Sequence, residues 1–391
     1  MIPFEKAFEI VMGQARLLGT ESVPLRSASG RVLAQDVSCD MDMPPFDKSA
    51  MDGYACRRAD LPVPLRVIEM IQAGTMPTMP VGVGECAKIM TGAMLPQGAD
   101  CVIMVEHTET DSDGRVRFTG AETAPNICYR GEDIHAGDLV LRRGTLLFPR
   151  HIAVMAMAGC AQPLVARRPR VGVIATGDEL VEPDVTPGPS QIRTSNSFQI
   201  CAQMEQVGAV ATYYGIVADR SAAIDAAMKR AMAENDVLLL SGGVSMGDFD
   251  LVPGMMAKNG LEILFDSIAM KPGKPTTFAV GPSVCCFGLP GNPVSTFVQC
   301  EILVKPFIYA LMGHPYEAPH SWMPLTEAYQ RKRADREAWV PVERTEDGGV
   351  RASAFHGSAH ISALGAAHGL VVVPQGTAVI EKGTLVCVRS I

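Results

Sequence analysis

The feature that most restricts the fold is an alternation of apolar runs and helical segments in the middle of the chain. The runs "VGVIA" and "DVLLL" are continuous and apolar, and segments such as "SAAIDAAMKRAMAEN" have the length and residue spacing of helices. Strands that alternate with helices in this way form βαβ units, whose parallel sheet is buried on both faces. The sequence therefore predicts a doubly wound parallel-sheet domain of the α/β class.

Composition and predicted secondary structure change along the chain, and these changes predict a multidomain protein. The chain has 391 residues, which at about 100–200 residues per domain corresponds to two to four domains. Residues 1–168 are expected to form an N-terminal and linker region of two mostly β subdomains, beginning with an amphipathic helix from Phe4 to Leu18. We assign the α/β domain to residues 169–313 and a small C-terminal β-barrel-like domain to residues 319–391.

Composition excludes several classes of function. A formal net charge of −8 argues against bulk nucleic-acid binding, which needs a broad basic face. The eleven cysteines include no CxxC spacing, so we expect neither a zinc site nor a disulfide framework. The chain start does not resemble a signal peptide, and no apolar run approaches the roughly 20 residues of a membrane-spanning helix. We expect a cytoplasmic protein that binds neither nucleic acid nor membranes.

Carboxylates follow the predicted strands at the points where the strands end. They belong to the loops "TGDEL", "VADR" and "SGGVSMGDFD", which contain Asp178, Glu179, Asp219, Asp248 and Asp250. The carboxyl ends of parallel strands meet at one edge of a sheet, where ligands bind. Crowded carboxylates favour a bound cation, and an oxygen-only ligand set favours Mg²⁺. Individual aspartates at such positions also serve as helix N-caps, and that alternative stays open for each of them.

Three loops, one of them "SGGVSMGDFD" itself, have compositions suited to an anionic ligand. Gly242 and Gly243 allow close approach of the backbone, and "KPGKP" presents Lys271 and Lys274 on a stiff turn suited to an oxyanion or a phosphate. "GLPGNPVS" places Pro293 near the first position of a helix whose free amides face outward. A plain tight turn and a solvated charged turn are the alternatives for the first two loops. None of the three is a P-loop.

The N-terminal region contains polar loops of its own. "PPFDKSAMDGYA", "MTGAMLPQGAD" and "YRGEDIHAG" offer Asp52, Thr91, Arg130, Glu132 and Asp133 as candidates for a site. Loops of this composition often serve function, although solvated surface is a commoner cause. Composition alone does not connect these loops to the sheet edge.

Taken together and in this order, these strings resemble those of the molybdopterin molybdenumtransferases, the bacterial relatives of the gephyrin E domain. The resemblance also includes "VIATGDEL", "LLLSGGVSMGDFD" and "MKPGKPTTFAV", and it extends over nearly the whole chain. It implies a molybdopterin-binding fold in the central domain. It further implies an enzyme that takes adenylylated molybdopterin and molybdate, inserts molybdenum, releases AMP and uses Mg²⁺. Members form elongated homodimers in which the partner's N-terminal region completes the active cleft.

The resemblance also implies roles for individual residues. The catalytic positions would be Asp52, Thr91, Glu179, Asp219 and Asp250, of which Glu179 and Asp250 resemble the metal-binding pair. The substrate-binding positions would be Gly242, Gly243, Ser245, Lys271, Lys274, Pro275, Pro290, Pro293 and Ser295. The chain differs from the family pattern at Pro341 and at Cys128, where relatives often carry arginine.

Two functions are alternatives to molybdenum insertion. A molybdopterin adenylyltransferase resembles only the central domain, and the additional β regions of this chain disfavour it. A non-catalytic dimeric scaffold, as in gephyrin, is disfavoured by the presence of Glu179, Asp250 and both lysines of "KPGKP". As partners we expect the molybdopterin adenylyltransferase and the maturation factors of molybdoenzymes.

Overall fold

The computed structural model describes residues 1–243, 251–353 and 357–391. Its centre is a six-stranded sheet with the spatial order Val210–Val217, Arg170–Thr176, Val237–Ser241, Cys285–Leu289, Thr277–Val280 and Glu262–Phe265. The first four strands are parallel, whereas the last two run antiparallel to their neighbours. The sheet is therefore mixed rather than wholly parallel. The reason is a short turn at residues 281–284, which leaves no room for a helical crossover.

Helices cover both faces of this sheet, as in a doubly wound domain. One face packs against Asn196–Gln206, Pro293–Gln299 and Lys305–Leu311, and the other against Ser221–Glu234 and Val252–Lys258. Successive strand residues alternate between the two cores, because side chains of a strand point to opposite faces. Leu239 lies in the first core and Leu240 in the second.

A long helix passes through the first of these cores. The π-helical segment Cys300–Val304 joins Pro293–Gln299 to Lys305–Leu311. The combined helix of 19 residues is long and apolar enough for a membrane span, contrary to the expectation that no segment is. However, 83% of its apolar window is buried inside the protein. The ring of Phe307 packs edge-on against Phe287, with 5.6 Å between ring centroids. It is therefore the core helix of this domain.

The N-terminal region contains one four-stranded sheet and several two-stranded pairs. The sheet has the spatial order Arg66–Ile71, Glu85–Ile89, Gly53–Cys56 and Cys101–Met104. The pairs are Thr20–Ser22 with Leu164–Ala166, Val37–Ser38 with Leu139–Leu141, Lys48–Ser49 with Ile127–Cys128, and Thr108–Thr110 with Val116–Phe118. The region also contains helix Pro149–Met157 and three 3₁₀ segments, Leu25–Ser27, Arg58–Asp60 and Val105–His107. Separate cores around Leu147 and around Ile103 show that it comprises more than one subdomain.

The first helix is shorter than its sequence pattern predicts. It spans Phe4–Met12 instead of reaching Leu18, because it ends at Gly13, a residue of low helix propensity. The N–H group of Leu18 instead bonds the carbonyl oxygen of Leu311 at 3.3 Å. Ile2 is hydrogen-bonded to the backbone of Ser267 and Ala269. The helix thus lies against parts of the chain that are distant in sequence.

The C-terminal domain is built on a second mixed sheet. Its strands follow the order Met270–Lys271, Glu337–Arg344, Gly369–Val373, Leu385–Ser390 and His320–Pro324, and Val350–Ala352 also pairs with Glu337–Arg344. Tyr329–Gln330 pairs with Val379–Ile380, and Ile361–Leu364 is a 3₁₀ segment. The strand Met270–Lys271 comes from the central domain, so the two domains share a sheet. The ring of Trp339 packs against Phe4 of the first helix, with 5.5 Å between ring centroids.

Candidate active site

A cleft of about 610 Å³ lies at the edge where the parallel strands of the central sheet end. The loops after all four parallel strands line it, together with the start of helix Asn196–Gln206 and a short parallel pair, Leu180–Val181 with Ile192–Arg193. Seven of the predicted site residues are among the lining residues, namely Glu179, Asp219, Gly242, Gly243, Pro275, Pro290 and Pro293. The strand-end rule therefore located the cleft from the sequence.

The glycine pair is required by the packing of two loops. Gly242 has a φ of 99°, and a Cβ atom at this position would lie 2.4 Å from the carbonyl oxygen of Thr176. Gly243 has a φ of 63°. The hydroxyl oxygen of Thr176 is buried and has no hydrogen-bond partner among the described residues. A side chain at residue 242 would push the loops apart, so the glycine sets the shape of the cleft floor.

Asn196 is a cleft residue that the sequence interpretation missed. Its side-chain amide donates hydrogen bonds to the Ser241 hydroxyl and to the Gly291 carbonyl oxygen, both at 2.8 Å. Its own amide oxygen is buried and without a partner in the described part of the chain. The signal in the sequence is a Ser/Asn-rich start, "SNS", of a helix, which on its own indicates no more than a helix start. Asn196 connects two of the cleft loops, and its side-chain oxygen is an acceptor with no partner among the described residues.

Two carboxylates line the cleft in the described structure, those of Glu179 and Asp219. Asp178 is exposed, and its carboxylate accepts a hydrogen bond from the backbone N–H of Asp219 at 3.1 Å. Asp178 therefore connects the loops after two adjacent strands. The predicted residues Ser245 and Asp250, and Asp248 beside them, lie outside the described residues.

The donor set of the cleft suits a hard cation. Glu179 and Asp219 offer carboxylate oxygens, which are the ligands that Mg²⁺ prefers. The described residues contain no cluster of three or more His, Cys, Asp or Glu side chains that could hold a metal ion. An ion held by these two residues would complete its shell with water and substrate oxygens, as Mg²⁺ usually does.

The turn that carries the two lysines is fixed to the core helix. Gly273 accepts a hydrogen bond from the side-chain amide of Gln299 at 3.0 Å, and a Cβ atom on Gly273 would meet that amide at 2.3 Å. Lys271 and Lys274 are exposed, and neither ammonium group has a hydrogen-bond or ion-pair partner among the described residues. Neither lysine lines the cleft, but Pro275, which follows Lys274, does. The turn thus presents two exposed positive charges next to a residue of the cleft.

The C-terminal domain also contributes to the wall of the cleft. Ala359 and Ile361 line it, and the adjacent Ser358 accepts hydrogen bonds from the Val294 backbone and from the Asn292 side chain, both at 3.0 Å. Ser295, by contrast, is only 3% exposed and is not among the lining residues. The start of the core helix is therefore covered by the last domain.

Asp52 and Thr91 form a pair elsewhere in the chain. Asp52 directly precedes strand Gly53–Cys56, and the backbone N–H and hydroxyl of Thr91 donate to its carboxylate at 2.7 and 2.8 Å. These bonds lower the pKa of Asp52 below its ordinary value. Neither residue lines the cleft within one chain.

The other N-terminal candidates are held by local contacts. Arg130 donates to the Asp42 carboxylate at 2.7 Å, and Glu132 accepts from the Tyr129 backbone at 2.8 Å. Neither lines the cleft. These interactions stabilise the loop in which they occur.

Comparison with known proteins gives matches over almost the whole chain. Family models described as "MoeA N-terminal region (domain I and II)", "Probable molybdopterin binding domain" and "MoeA C-terminal region (domain IV)" match residues 2–159, 172–310 and 324–391. A molybdopterin molybdenumtransferase of Bacillus subtilis is 34% identical and is aligned over 100% of this chain and 94% of its own length. A protein of the same name from Nostoc sp. is 35% identical, with 95% and 89% covered.

A solved structure gives the same result for the fold. The crystal structure of a molybdopterin biosynthesis MoeA protein from Pyrococcus horikoshii superposes with a TM-score of 0.86 at 30% sequence identity. The superposition covers 100% of both chains. The similarity therefore includes the N-terminal and C-terminal domains as well as the central one.

Proposed function

This chain belongs to the molybdopterin molybdenumtransferase family and inserts molybdenum into molybdopterin, and from that premise we propose that its substrates are adenylylated molybdopterin and molybdate. AMP is the second product. The observation that carries the proposal is the cleft itself, which combines carboxylates, a glycine floor and an adjacent turn with two exposed lysines. This combination suits a phosphoanhydride and a molybdenum oxyanion.

The reaction that we propose has two steps, each of which is balanced. The two thiol groups of the pterin displace one oxide of molybdate, which leaves as water with the two thiol protons. A second water molecule cleaves the phosphoanhydride, so that one phosphate stays on the pterin and the other leaves as AMP. Lys271 and Lys274 attract the molybdate dianion. The glycine floor admits the substrate phosphates to the backbone.

Mg²⁺ is part of the proposal. Glu179, Asp219 and Asp250 would hold the ion, which would neutralise charge on the substrate phosphates. The carboxylates of Glu179 and Asp219 at the cleft support this assignment. Asp250 enters through the family resemblance alone.

We also propose a homodimer located in the cytoplasm. The Asp52–Thr91 pair does not line the cleft of its own chain, so a cleft completed by a second chain would explain its presence among the functional positions. All eleven cysteines are free thiols, which supports a reducing compartment. The enzyme that adenylylates molybdopterin would supply its substrate, and maturation factors of molybdoenzymes would take its product.

The test is AMP release from adenylylated molybdopterin in the presence of molybdate and Mg²⁺. We expect Glu179→Gln to raise the Mg²⁺ concentration for half-maximal rate by roughly tenfold or more, because a neutral amide replaces an anionic ligand. Glu262→Gln is the matched control, since Glu262 is an exposed carboxylate on an edge strand of the same sheet. An unchanged Mg²⁺ dependence in Glu179→Gln contradicts the metal assignment.

The same assay separates the alternative functions. An adenylyltransferase would consume ATP and molybdopterin instead of releasing AMP from the adenylylated form. A scaffold without activity would release no AMP under any of these conditions. AMP release that requires molybdate supports the proposal against both.

A further inference from the structure

Three cysteines lie in one row across the four-stranded N-terminal sheet. Cys86, Cys56 and Cys101 are on consecutive strands, and Cys56 is in register with both of the others. Directly paired residues of neighbouring strands point to the same face. All three side chains are fully buried in the same hydrophobic cluster. The row is remote in sequence from the residues of the cleft.

Two of the three thiols are in contact. The sulfur atoms of Cys56 and Cys101 are 3.7 Å apart, and the Cys101 thiol also lies 3.6 Å from the Cys56 carbonyl oxygen. A disulfide has an S–S length of about 2.05 Å, so an approach of about 1.7 Å would close the bond. Cys86 has no such contact with Cys56 among the described residues.

We propose that Cys56 and Cys101 are a site of reversible disulfide formation by peroxides. Peroxide oxidises one thiolate to a sulfenic acid and leaves as water. The second thiol then attacks the sulfenic sulfur, so that the disulfide forms and a second molecule of water is released. Two thiols and one hydrogen peroxide thus give one disulfide and two molecules of water. An added dithiol restores both thiols by exchange.

The surroundings of the pair give the two thiols different pKa values. The hydrogen bond from the Cys56 thiol lowers the pKa of Cys101, and the nearby charge of Arg58 acts in the same direction against burial. The same hydrogen bond, together with burial, raises the pKa of Cys56. Asp100 lies close to both thiols, and its charge raises both pKa values. Cys101 lies on the edge strand of the sheet and has the lower pKa, so we assign to it the reaction with peroxide and to Cys56 the resolution of the sulfenic acid.

Access to the buried pair comes from its place in the sheet. Cys101 is the first residue of Cys101–Met104, an edge strand, and Cys56 is the last residue of Gly53–Cys56. Strand ends and sheet edges open locally at much lower cost than global unfolding. Opening at this end of the sheet would admit peroxide without disrupting the central domain.

The experiment treats the intact protein with hydrogen peroxide and maps disulfides by mass spectrometry of proteolytic peptides. We expect a linked peptide pair containing Cys56 and Cys101, loss of these two free thiols in addition to that of the exposed Cys387, and recovery of Cys56 and Cys101 as free thiols with dithiothreitol. The oxidised protein should also melt at a higher temperature, since the bond closes a long loop of the unfolded chain. The exposed Cys387 reports that the oxidant is active.

Variants provide the controls. Cys56→Ala and Cys101→Ala should each abolish the linked peptide, whereas Cys86→Ala removes a buried thiol of the same row and should leave it intact. Because mapping of the unaltered protein needs no variant, poor folding of an alanine variant does not affect the main result. Oxidation of Cys387 without a Cys56–Cys101 link, or a link from Cys56 to Cys86 instead, overturns the proposal.

Discussion

At the scale of single residues, Asp52 is a carboxylate whose ionisation depends on one neighbour. The lowered pKa comes first from the backbone N–H of Thr91 and then from its hydroxyl. A carboxyl group with a lowered pKa stabilises the folded state above its ordinary value of 3.8, and this stabilisation is lost as the pH falls through the lower folded value. The hydrogen bonds from Thr91 to the Asp52 carboxylate are therefore intact at neutral pH and are weakened only in acid.

The corresponding prediction concerns the hydroxyl of Thr91. Thr91→Val removes one of the two donors, so the pKa of Asp52 should rise towards its ordinary value, as measured by NMR titration of the carboxyl carbon. Thr78→Val is the matched control, because Thr78 donates to Glu69 through the same two groups. A Thr91→Val variant with an unchanged Asp52 titration would show that the backbone bond alone sets the pKa.

A second prediction at this scale concerns Lys271. If its ammonium group meets molybdate, Lys271→Ala removes a charge-assisted contact worth roughly 1.5–3 kcal/mol. The molybdate concentration for half-maximal AMP release should then rise by about 10- to 150-fold, while binding of the pterin changes little. Lys382→Ala, at another exposed lysine, should leave both unchanged. An unaltered molybdate dependence in Lys271→Ala removes the residue from the oxyanion site.

At the scale of elements, the turn after strand Val237–Ser241 depends on a glycine. In Gly242→Ala the new Cβ atom meets the Thr176 carbonyl oxygen at 2.4 Å, in addition to the strain of a φ of 99°. We expect a loss of roughly 2 kcal/mol or more in the free energy of unfolding. Gly260→Ala has a similar φ but open space around the Cβ position, so it should cost only about 1 kcal/mol. Urea unfolding of both variants measures the difference, and equal losses would exclude the clash.

Sequence patterns were informative where local periodicity decides the structure. The cleft loops were located because buried apolar runs end at Thr176 and Ser241, and parallel strands share one carboxyl edge. Asn196 was missed because its function depends on Ser241 and Gly291, which lie 45 and 95 residues away along the chain. The end of the first helix was wrong for a different reason, since the apolar pattern continues past Gly13, where the helix ends. Contacts between distant residues leave no periodic signal.

At the scale of the whole molecule, the proposed dimer makes a prediction about mixed subunits. At a Mg²⁺ concentration that is limiting for Glu179→Gln, the homodimers of Asp52→Asn and of Glu179→Gln should each have little activity, but a heterodimer of the two would contain one cleft with both native residues. With free exchange of subunits, an equal mixture should recover about a quarter of the native rate of AMP release. The double variant Asp52→Asn/Glu179→Gln, mixed with either single variant, should recover none. Failure of the first mixture despite proven exchange places both residues in one chain's site.

The first helix packs against segments that are distant in sequence, and this packing has a consequence for folding during synthesis on the ribosome. Ile2 bonds to Ser267 and Ala269, and Phe4 packs on Trp339, so these first residues have no native neighbours until most of the chain has emerged. Domains usually fold from the N-terminus onwards during translation. Here we expect the opening segment to stay sensitive to protease in nascent chains arrested before residue 339, and to become resistant in the released protein. Early resistance would mean that the helix has another, temporary place to dock.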